Sequence, residues 1–206
     1  MKHHHHGLYI AISASSLAIF LLFSYLVLRG HATFSGLDDW WIQLNDSIVN
    51  RYLIDIFKAV TYLGSTLVLF PAALMIFYIA RNALKRHVAI LLGSMLLSTI
   101  SVNMAKLIVG KDRPFAGFLE VSGYSYPSGH ASLAFVFYWG LFLILCRRRA
   151  MSKGWAVLLA IMFPVVVSFS RTYLQVHYLT DIFGSFFLSV SIFFLFLIFV
   201  PEDTYR

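Results

Sequence analysis

Six long apolar stretches constrain this chain more than any other feature. A helix that crosses the hydrocarbon core of a bilayer needs about 20 apolar residues, at a rise of about 1.5 Å each. Stretches of about this length cover residues 8–28, 59–80, 88–109, 128–146, 155–173 and 182–200. With 60% hydrophobic and only 12% charged residues, the composition excludes a water-soluble globular domain. We therefore predict an all-α integral membrane protein, a bundle of six transmembrane helices.

The first six residues, which include four consecutive histidines, are typical of a tag remnant. We leave them out of metal-site arguments, although a native histidine tract is an alternative. The apolar stretch that follows is longer than the apolar core of a signal peptide, about 7 to 15 residues, and predicts a retained helix. Because residues 7–206 show no repeat, linker or shift in composition, we predict a single membrane domain there.

Positive charge is concentrated in two short loops, at residues 81–86 and 147–153. The whole chain carries 16 Lys plus Arg against 9 Asp plus Glu, a formal charge of +7. Basic clusters between apolar stretches favour anchoring at the cytoplasmic face over binding to nucleic acid. Both loops are therefore predicted to be cytoplasmic, and an even number of spans places both termini there too. The segments after the first, third and fifth spans then face outward.

The first outward segment, residues 29–58, has apolar residues at helical spacing and two adjacent tryptophans, Trp40 and Trp41. The apolar stripe consists of Leu37, Trp41, Leu44, Ile48 and Tyr52. Indole rings favour the headgroup zone of a bilayer, so this pattern predicts an amphipathic helix at the outer interface, between the first and second spans. An ordinary extracellular helix that caps the bundle is the alternative.

A basic pair follows the third span, although ionisable side chains are costly in lipid. Lys106 and Arg113 are nearly two helical turns apart, so they could share one helical face if the helix continues past Gly110. Pro114 marks the predicted end of that helix. Snorkelling of both side chains to the interface is the alternative explanation.

The fourth span begins with the sequence Pro127-Ser128-Gly129-His130. The first turn of a helix has unpaired N–H groups and a positive dipole end, to which Ser128 adds a hydroxyl and Gly129 adds room for close approach. This combination predicts an anion site. A capped helix with a histidine in its first turn is the alternative.

A third polar group, Arg171, His177 and Asp181, lies between the fifth and sixth spans. On a helix, the four-residue spacing would place the Asp181 carboxylate beside the His177 imidazole, where it can fix the tautomer and support positive charge. A structural His–Asp pair is the alternative. We assign Thr172 and Tyr173 to packing.

The predicted topology brings all three groups to the outer side, as one pocket with three cations, two histidines and one carboxylate. Lys106, Arg113 and Arg171 would repel a divalent ion, so we predict no metal and no cofactor. The single cysteine, Cys146, excludes a cysteine metal cage and is assigned to packing. A cationic pocket with hydrogen-bond donors at a helix N-terminus suits a phosphate group.

These residues resemble the three-part signature of the type 2 phosphatidic acid phosphatase superfamily: K-x6-R-P, P-S-G-H and S-R-x5-H-x3-D. The match covers residues 106–181 without a departure at any signature position, and six helices agree with the membrane branch of the family. The resemblance implies a metal-independent lipid phosphatase that works through a phosphohistidine. It implies that phosphate is bound by Lys106, Arg113, Ser128, Gly129 and Arg171.

The resemblance further implies that His177 is the nucleophile, Asp181 its orienting partner and His130 the general acid. The implied substrates are lipid phosphates: undecaprenyl diphosphate, phosphatidylglycerol phosphate, phosphatidic acid or lipid A phosphate. A short chain with six spans and an outward site resembles the bacterial cytoplasmic-membrane enzymes for the first two, and we lean to undecaprenyl diphosphate. No obligatory protein partner is evident. A phosphotransferase using the same phosphohistidine, and a non-catalytic lipid-phosphate binder or flippase, are the alternatives.

Overall fold

A computed structural model of the chain describes residues 4–80, 82–115 and 117–199, and every regular element in these residues is a helix. The α-helices are α1 (His4–Leu28), α2 (Ala32–Ile48), α3 (Arg51–Val60), α4 (Thr66–Ala80), α5 (Lys85–Val109), α6 (Gly129–Arg148), α7 (Lys153–Tyr173) and α8 (Leu179–Leu197), with a 3-10 turn at Thr61–Gly64. The start of the predicted tag remnant, Arg81 of the first basic loop and Val200 of the sixth predicted span lie outside the described residues.

The helices confirm the prediction of an all-α membrane bundle, with one change. Helices α1, α5, α6, α7 and α8 are long and apolar enough to cross a membrane. The second span, predicted as one helix over residues 59–80, is instead a pair bent by 41° between Arg51–Gly64 and Thr66–Ala80. The break lets the chain approach α7 closely, since a Cβ on Gly64 would lie 2.5 Å from Val167 Cγ1.

The outward segment predicted as one amphipathic helix consists of two helices, α2 and α3, with a break at residues 49–50. Two residues of the predicted apolar stripe, Ile48 and Tyr52, are exposed at the protein surface, while Asp38 and Asn45 are buried against the bundle. Both buried polar side chains bind backbone groups near the loop between α7 and α8, which compensates for the loss of water. The position of α2 at the membrane interface stays a prediction.

Helix α6 is central to the bundle and packs against α5, α7 and α8, while α1 packs along α8. On one side, Leu133, Ala134 and Phe137 of α6 belong to the same buried apolar cluster as Leu91 and Met95 of α5. The helices that α6 packs against, α5, α7 and α8, are the three other helices that carry predicted site residues. The polar end of α6 is therefore held against α5 on one side and α8 on the other.

Serine hydroxyls join the first turns of α6 to the first half of α8. Ser185 Oγ donates to the carbonyls of Ser128 at 2.9 Å and Asp181 at 2.6 Å. Ser132 Oγ donates to Ser185 O, and Ser189 Oγ donates to Ser132 O, each at 3.3 Å. Residues later in α6 contact residues later in α8, so the two helices run parallel and begin side by side. Small polar side chains suit such close contacts, which apolar lipid does not weaken as water would.

Tyr126 is locked between α1 and α8 just before the start of α6. Its side chain is completely buried, its ring stacks on Phe20 with centroids 6.3 Å apart, and its hydroxyl lies 3.1 Å from Ser24 Oγ. A Cβ on Gly184 of α8 would lie 2.4 Å from the Tyr126 hydroxyl oxygen. Glycine at 184 therefore provides the space that this ring occupies.

We expect Gly184→Ala to destabilise the protein by about 1–3 kcal/mol, because the rigid, buried Tyr126 ring must move. Gly154→Ala is the matched control, since a Cβ on Gly154 meets no atom within 4 Å, and alanine is the better helix former. Thermal unfolding of the purified proteins in detergent measures both effects. Equal midpoints for the two variants would contradict the packing argument.

Candidate active site

Four helix ends meet at one end of the bundle. Helices α5 and α7 end there, at Val109 and Tyr173, and α6 and α8 begin there, at Gly129 and Leu179. The eight site residues predicted from the sequence lie in these helix ends or in the two loops that connect them. The structure therefore brings the three motifs to one side of the bundle.

The helical continuation considered for Lys106 and Arg113 does not occur. Helix α5 stops at Gly110, which has a left-handed conformation with a φ of 62° that glycine adopts without steric cost. The loop beyond it wraps back, and both cations donate to its carbonyl groups at residues 123–125. A turn of the chain, rather than a shared helical face, brings the two side chains to the same region.

The His177 imidazole has a partner at each ring nitrogen. Nδ1 lies 3.0 Å from Asp181 Oδ2, and Nε2 lies 3.2 Å from Arg113 Nη1. A carboxylate accepts and a guanidinium donates, so these partners place the proton on Nδ1 and a lone pair on Nε2. Burial lowers the pKa of His177 to about 3, although the hydrogen bond to Asp181 acts in the opposite direction. The ring is therefore neutral near pH 7.

The pairing of His177 with Asp181 has a different origin from the helical spacing that predicted it. His177 precedes Tyr178, the N-cap residue of α8, and only Asp181 lies within the helix. The Asp181 carboxylate also accepts a hydrogen bond from Tyr178 N at 3.0 Å. The capped start of α8, rather than one face of a helix, thus fixes the imidazole and the carboxylate together.

Arg171 is a buried cation at the end of α7, with only 2% of its surface exposed. Its Nη1 donates to Thr61 Oγ1 at 2.9 Å, in the 3-10 turn before α4. Its Nε is buried and has no hydrogen-bond partner in the described part of the chain. A buried guanidinium with an unused donor is costly, and an anion would satisfy it.

The N-terminus of α6 supplies the remaining predicted residues. Ser128 is the N-cap residue, and its hydroxyl oxygen accepts from Ala131 N at 3.5 Å. Gly129 and His130 form the first turn and line a cavity of about 160 Å³ together with Lys106 of α5. The Lys106 side chain therefore lines a cavity at the start of α6, at the end of the bundle where the four helix ends meet.

Sequence reasoning missed four polar residues of this site: Thr61, which holds Arg171, and Asp38, Lys111 and Thr180, which bind one another. Lys111 also lies 3.3 Å from Asp181. Asp38 was one of four aspartates in the first outward segment, and no local pattern distinguishes it from the exposed ones. Thr61 is likewise an ordinary polar residue within an apolar span. These assignments depend on contacts between residues far apart along the chain.

Comparison with known proteins agrees with the motifs and the fold. Residues 87–205, more than half of the chain, match the family model described as the PAP2 superfamily. Phosphatidylglycerophosphatase B of Bacillus subtilis (strain 168) is 27% identical over 152 residues, covering 70% of this chain and 73% of the relative. These two matches are between sequences, and matches between structures cover most of the bundle.

A crystal structure of a transmembrane PAP2 type phosphatidylglycerolphosphate phosphatase from Bacillus subtilis superposes with a TM-score of 0.79 at 25% identity, covering 89% of this chain and 93% of that one. Aquifex aeolicus LpxE shares the fold, with a TM-score of 0.62 at 23% identity over 77% of this chain and 94% of the other. The resemblance inferred from the motifs is confirmed. This chain belongs to the PAP2 superfamily and is a membrane phosphatase that acts on lipid phosphate.

Proposed function

We propose that this phosphatase hydrolyses phosphatidylglycerol phosphate through a phosphohistidine on His177, at the outer face of the membrane. The observation that carries the proposal is the placement of the His177 ring, whose Nδ1 lies 3.0 Å from Asp181 Oδ2 while Nε2 lies 3.2 Å from Arg113 Nη1. A lipid-phosphate binder would need the cations but no oriented base. The named activity of the relatives favours phosphatidylglycerol phosphate, and undecaprenyl diphosphate is the second candidate.

In this proposal the phosphate is held by three cations and by the first turn of α6. Arg171 donates to the phosphate from its unpartnered Nε. Lys106 gives up a hydrogen bond to a loop carbonyl, and Arg113 gives up its contact with His177, so that both can donate to phosphate oxygens. A Cβ on Gly129 would approach protein no closer than 3.6 Å. Protein packing therefore does not require glycine there, whereas a phosphate against the backbone N–H groups would benefit from it. Ser128 adds a hydroxyl donor.

The chemistry then proceeds in two steps. His177 Nε2 attacks phosphorus as the bond to the lipid oxygen breaks, and His130 gives its proton to that leaving oxygen. The dianionic phosphate favours the protonated form of His130 on binding. In the second step His130 removes a proton from water, the water oxygen attacks phosphorus, and the P–N bond breaks to release phosphate. The three cations stabilise charge on the equatorial oxygens in both steps.

The outward orientation is supported by charge. Arg147 and Arg148 end α6, and Lys153 begins α7, at the end of the bundle opposite the site. Basic residues stay preferentially on the cytoplasmic side, so the four helix ends with the site would face outward in a bacterial cytoplasmic membrane. Both termini would then be cytoplasmic.

We expect purified protein in liposomes to release phosphate from phosphatidylglycerol phosphate, and His177→Ala to lower kcat by about 1000-fold or more because the nucleophile is lost. A panel with undecaprenyl diphosphate and phosphatidic acid ranks the substrates by kcat/KM. Glu120→Gln is the control, an exposed side chain in the loop between α5 and α6.

Activity should persist in EDTA and be blocked by vanadate. Appreciable turnover by His177→Ala would contradict the assignment of His177 as nucleophile. Loss of activity in EDTA that Mg²⁺ restores would indicate a metal-dependent enzyme instead. Phosphate found on an added alcohol instead of in solution would identify a phosphotransferase.

His130→Ala should lower kcat/KM for a phosphomonoester by about 100-fold, and for a diphosphate much less, because an alkoxide needs a proton far more than a departing phosphate does. The measurement is kcat/KM for phosphatidylglycerol phosphate and undecaprenyl diphosphate with the same preparation. Equal losses on both substrates would remove the general-acid role from His130.

Orientation is tested by labelling single cysteines in intact cells with a maleimide that does not cross membranes. In a Cys146→Ser background, we expect Glu120→Cys to be labelled and Ala150→Cys to react only after lysis, since these exposed residues lie at opposite ends of the bundle. The reverse pattern would place the site at the cytoplasmic face.

A further inference from the structure

A chain of alternating charges lies behind the Asp181 carboxylate. Lys111 Nζ is 3.3 Å from Asp181 Oδ1 and 2.7 Å from Asp38 Oδ2. Asp38 also accepts two hydrogen bonds from Thr180, from the hydroxyl at 2.7 Å and from the backbone N–H at 3.0 Å. With the His177 ring at the other side of Asp181, the order is carboxylate, ammonium, carboxylate, imidazole.

All of these groups are shielded from solvent. The side chain of Asp181 is completely buried, that of Asp38 is 7% exposed and that of Lys111 is 19% exposed. Buried charges are tolerated when they are paired and hydrogen-bonded, and removal of one partner leaves the other uncompensated. Asp38 and Lys111 therefore depend on each other, and Asp181 depends on Lys111.

Lys111 has no donor left for a phosphate. An ammonium group has three N–H bonds, and the three acceptors within reach of Lys111 Nζ are Asp38 at 2.7 Å, the Thr180 hydroxyl at 2.7 Å and Asp181 at 3.3 Å. The ammonium also lies 4.0 Å from the centre of the Tyr178 ring. Its surroundings distinguish it from Arg171, which retains an unpartnered N–H.

Asp38 reaches this network from α2, a helix that contributes none of the signature motifs. It accepts from Thr180 N, one of the N–H groups that the first turn of α8 leaves unpaired. The same helix contacts the end of α7, just before the loop to α8, through Asn45, whose side chain donates to Tyr173 O at 3.0 Å. Helix α2 is thus fastened to the segment that carries His177.

We propose that Asp38 and Lys111 are positioning residues for catalysis, which hold the Asp181 carboxylate charged and aimed at His177 Nδ1 and thereby couple the docking of α2 to the geometry of the nucleophile. This inference rests on the proposed phosphohistidine mechanism. Without Lys111, two carboxylates would face each other, and a proton taken up by Asp181 would reverse the hydrogen bond to His177 and place hydrogen on Nε2. Without the Asp38 charge, Asp181 would be left as the carboxylate that pairs with the Lys111 ammonium.

The test compares Lys111→Met, Asp38→Asn and the double variant in hydrolysis of phosphatidylglycerol phosphate. We expect Lys111→Met to lower kcat by about 100-fold and Asp38→Asn by about 10-fold, with KM and inhibition by inorganic phosphate changed less than about threefold. The double variant should be at least about as active as Lys111→Met, because the two mutually dependent charges are removed together. Asp39→Asn, an exposed carboxylate next in the chain, is the matched control and should be unchanged.

A rise in KM or weaker phosphate inhibition at unchanged kcat would make Lys111 a phosphate ligand and overturn the proposal. So would unchanged kcat in both single variants, or losses that multiply in the double variant. Thermal unfolding of each protein identifies a variant that fails to fold. If Lys111→Met fails to fold, the nearly isosteric Asp38→Asn still tests the proposal.

The two proposals fail in different ways. If His177→Ala retains turnover, the phosphohistidine mechanism is wrong. If His177 is essential while Lys111→Met and Asp38→Asn have normal kcat, only the positioning role is wrong.

Discussion

The Asp181 carboxylate is the group around which the end of the bundle that carries the site is arranged. A completely buried carboxylate is costly unless it is paired and hydrogen-bonded. Asp181 meets that requirement through His177, Tyr178 N and Lys111. Asp181 Oδ2 accepts from Tyr178 N at the start of α8 and orients the His177 imidazole, and Oδ1 faces the Lys111 ammonium. Local helix capping and the placement of the candidate nucleophile therefore depend on the same side chain.

The second requirement is that two helix N-termini lie side by side in a membrane. In lipid there is no hydrophobic drive to join helices, so close packing and interhelical hydrogen bonds take its place. The serine contacts between α6 and α8 and the glycine at 184 supply both. They align the start of α6, with Ser128 and His130, against the start of α8. The cavity lined by Lys106, Gly129 and His130 lies at this end of the bundle, where α5 and α7 end.

Several expectations from the sequence were right in substance and wrong in geometry. His177 and Asp181 do pair, but through a capped helix start instead of a shared helical face. Lys106 and Arg113 do converge, but through a loop that begins at Gly110. Residues 29–58, predicted as one amphipathic helix, are largely helical, but the helix is broken in two, and Asp38 and Asn45 are buried. Spacing along a chain predicts proximity only when the intervening conformation is known, and loops are where that knowledge is missing.

The sequence by itself determined that the chain is a helical membrane protein, that its motifs belong to one phosphatase family, and which eight residues are candidates for the site. These follow from local properties: apolar length, charge in short loops, and residue types at fixed spacing. Only the tertiary structure decided that the second span bends, that Thr61 holds Arg171, and that Asp38 and Lys111 stand behind Asp181. Those contacts join residues that are far apart along the chain. Their energies depend on burial and mutual distance, which no local pattern of residues encodes.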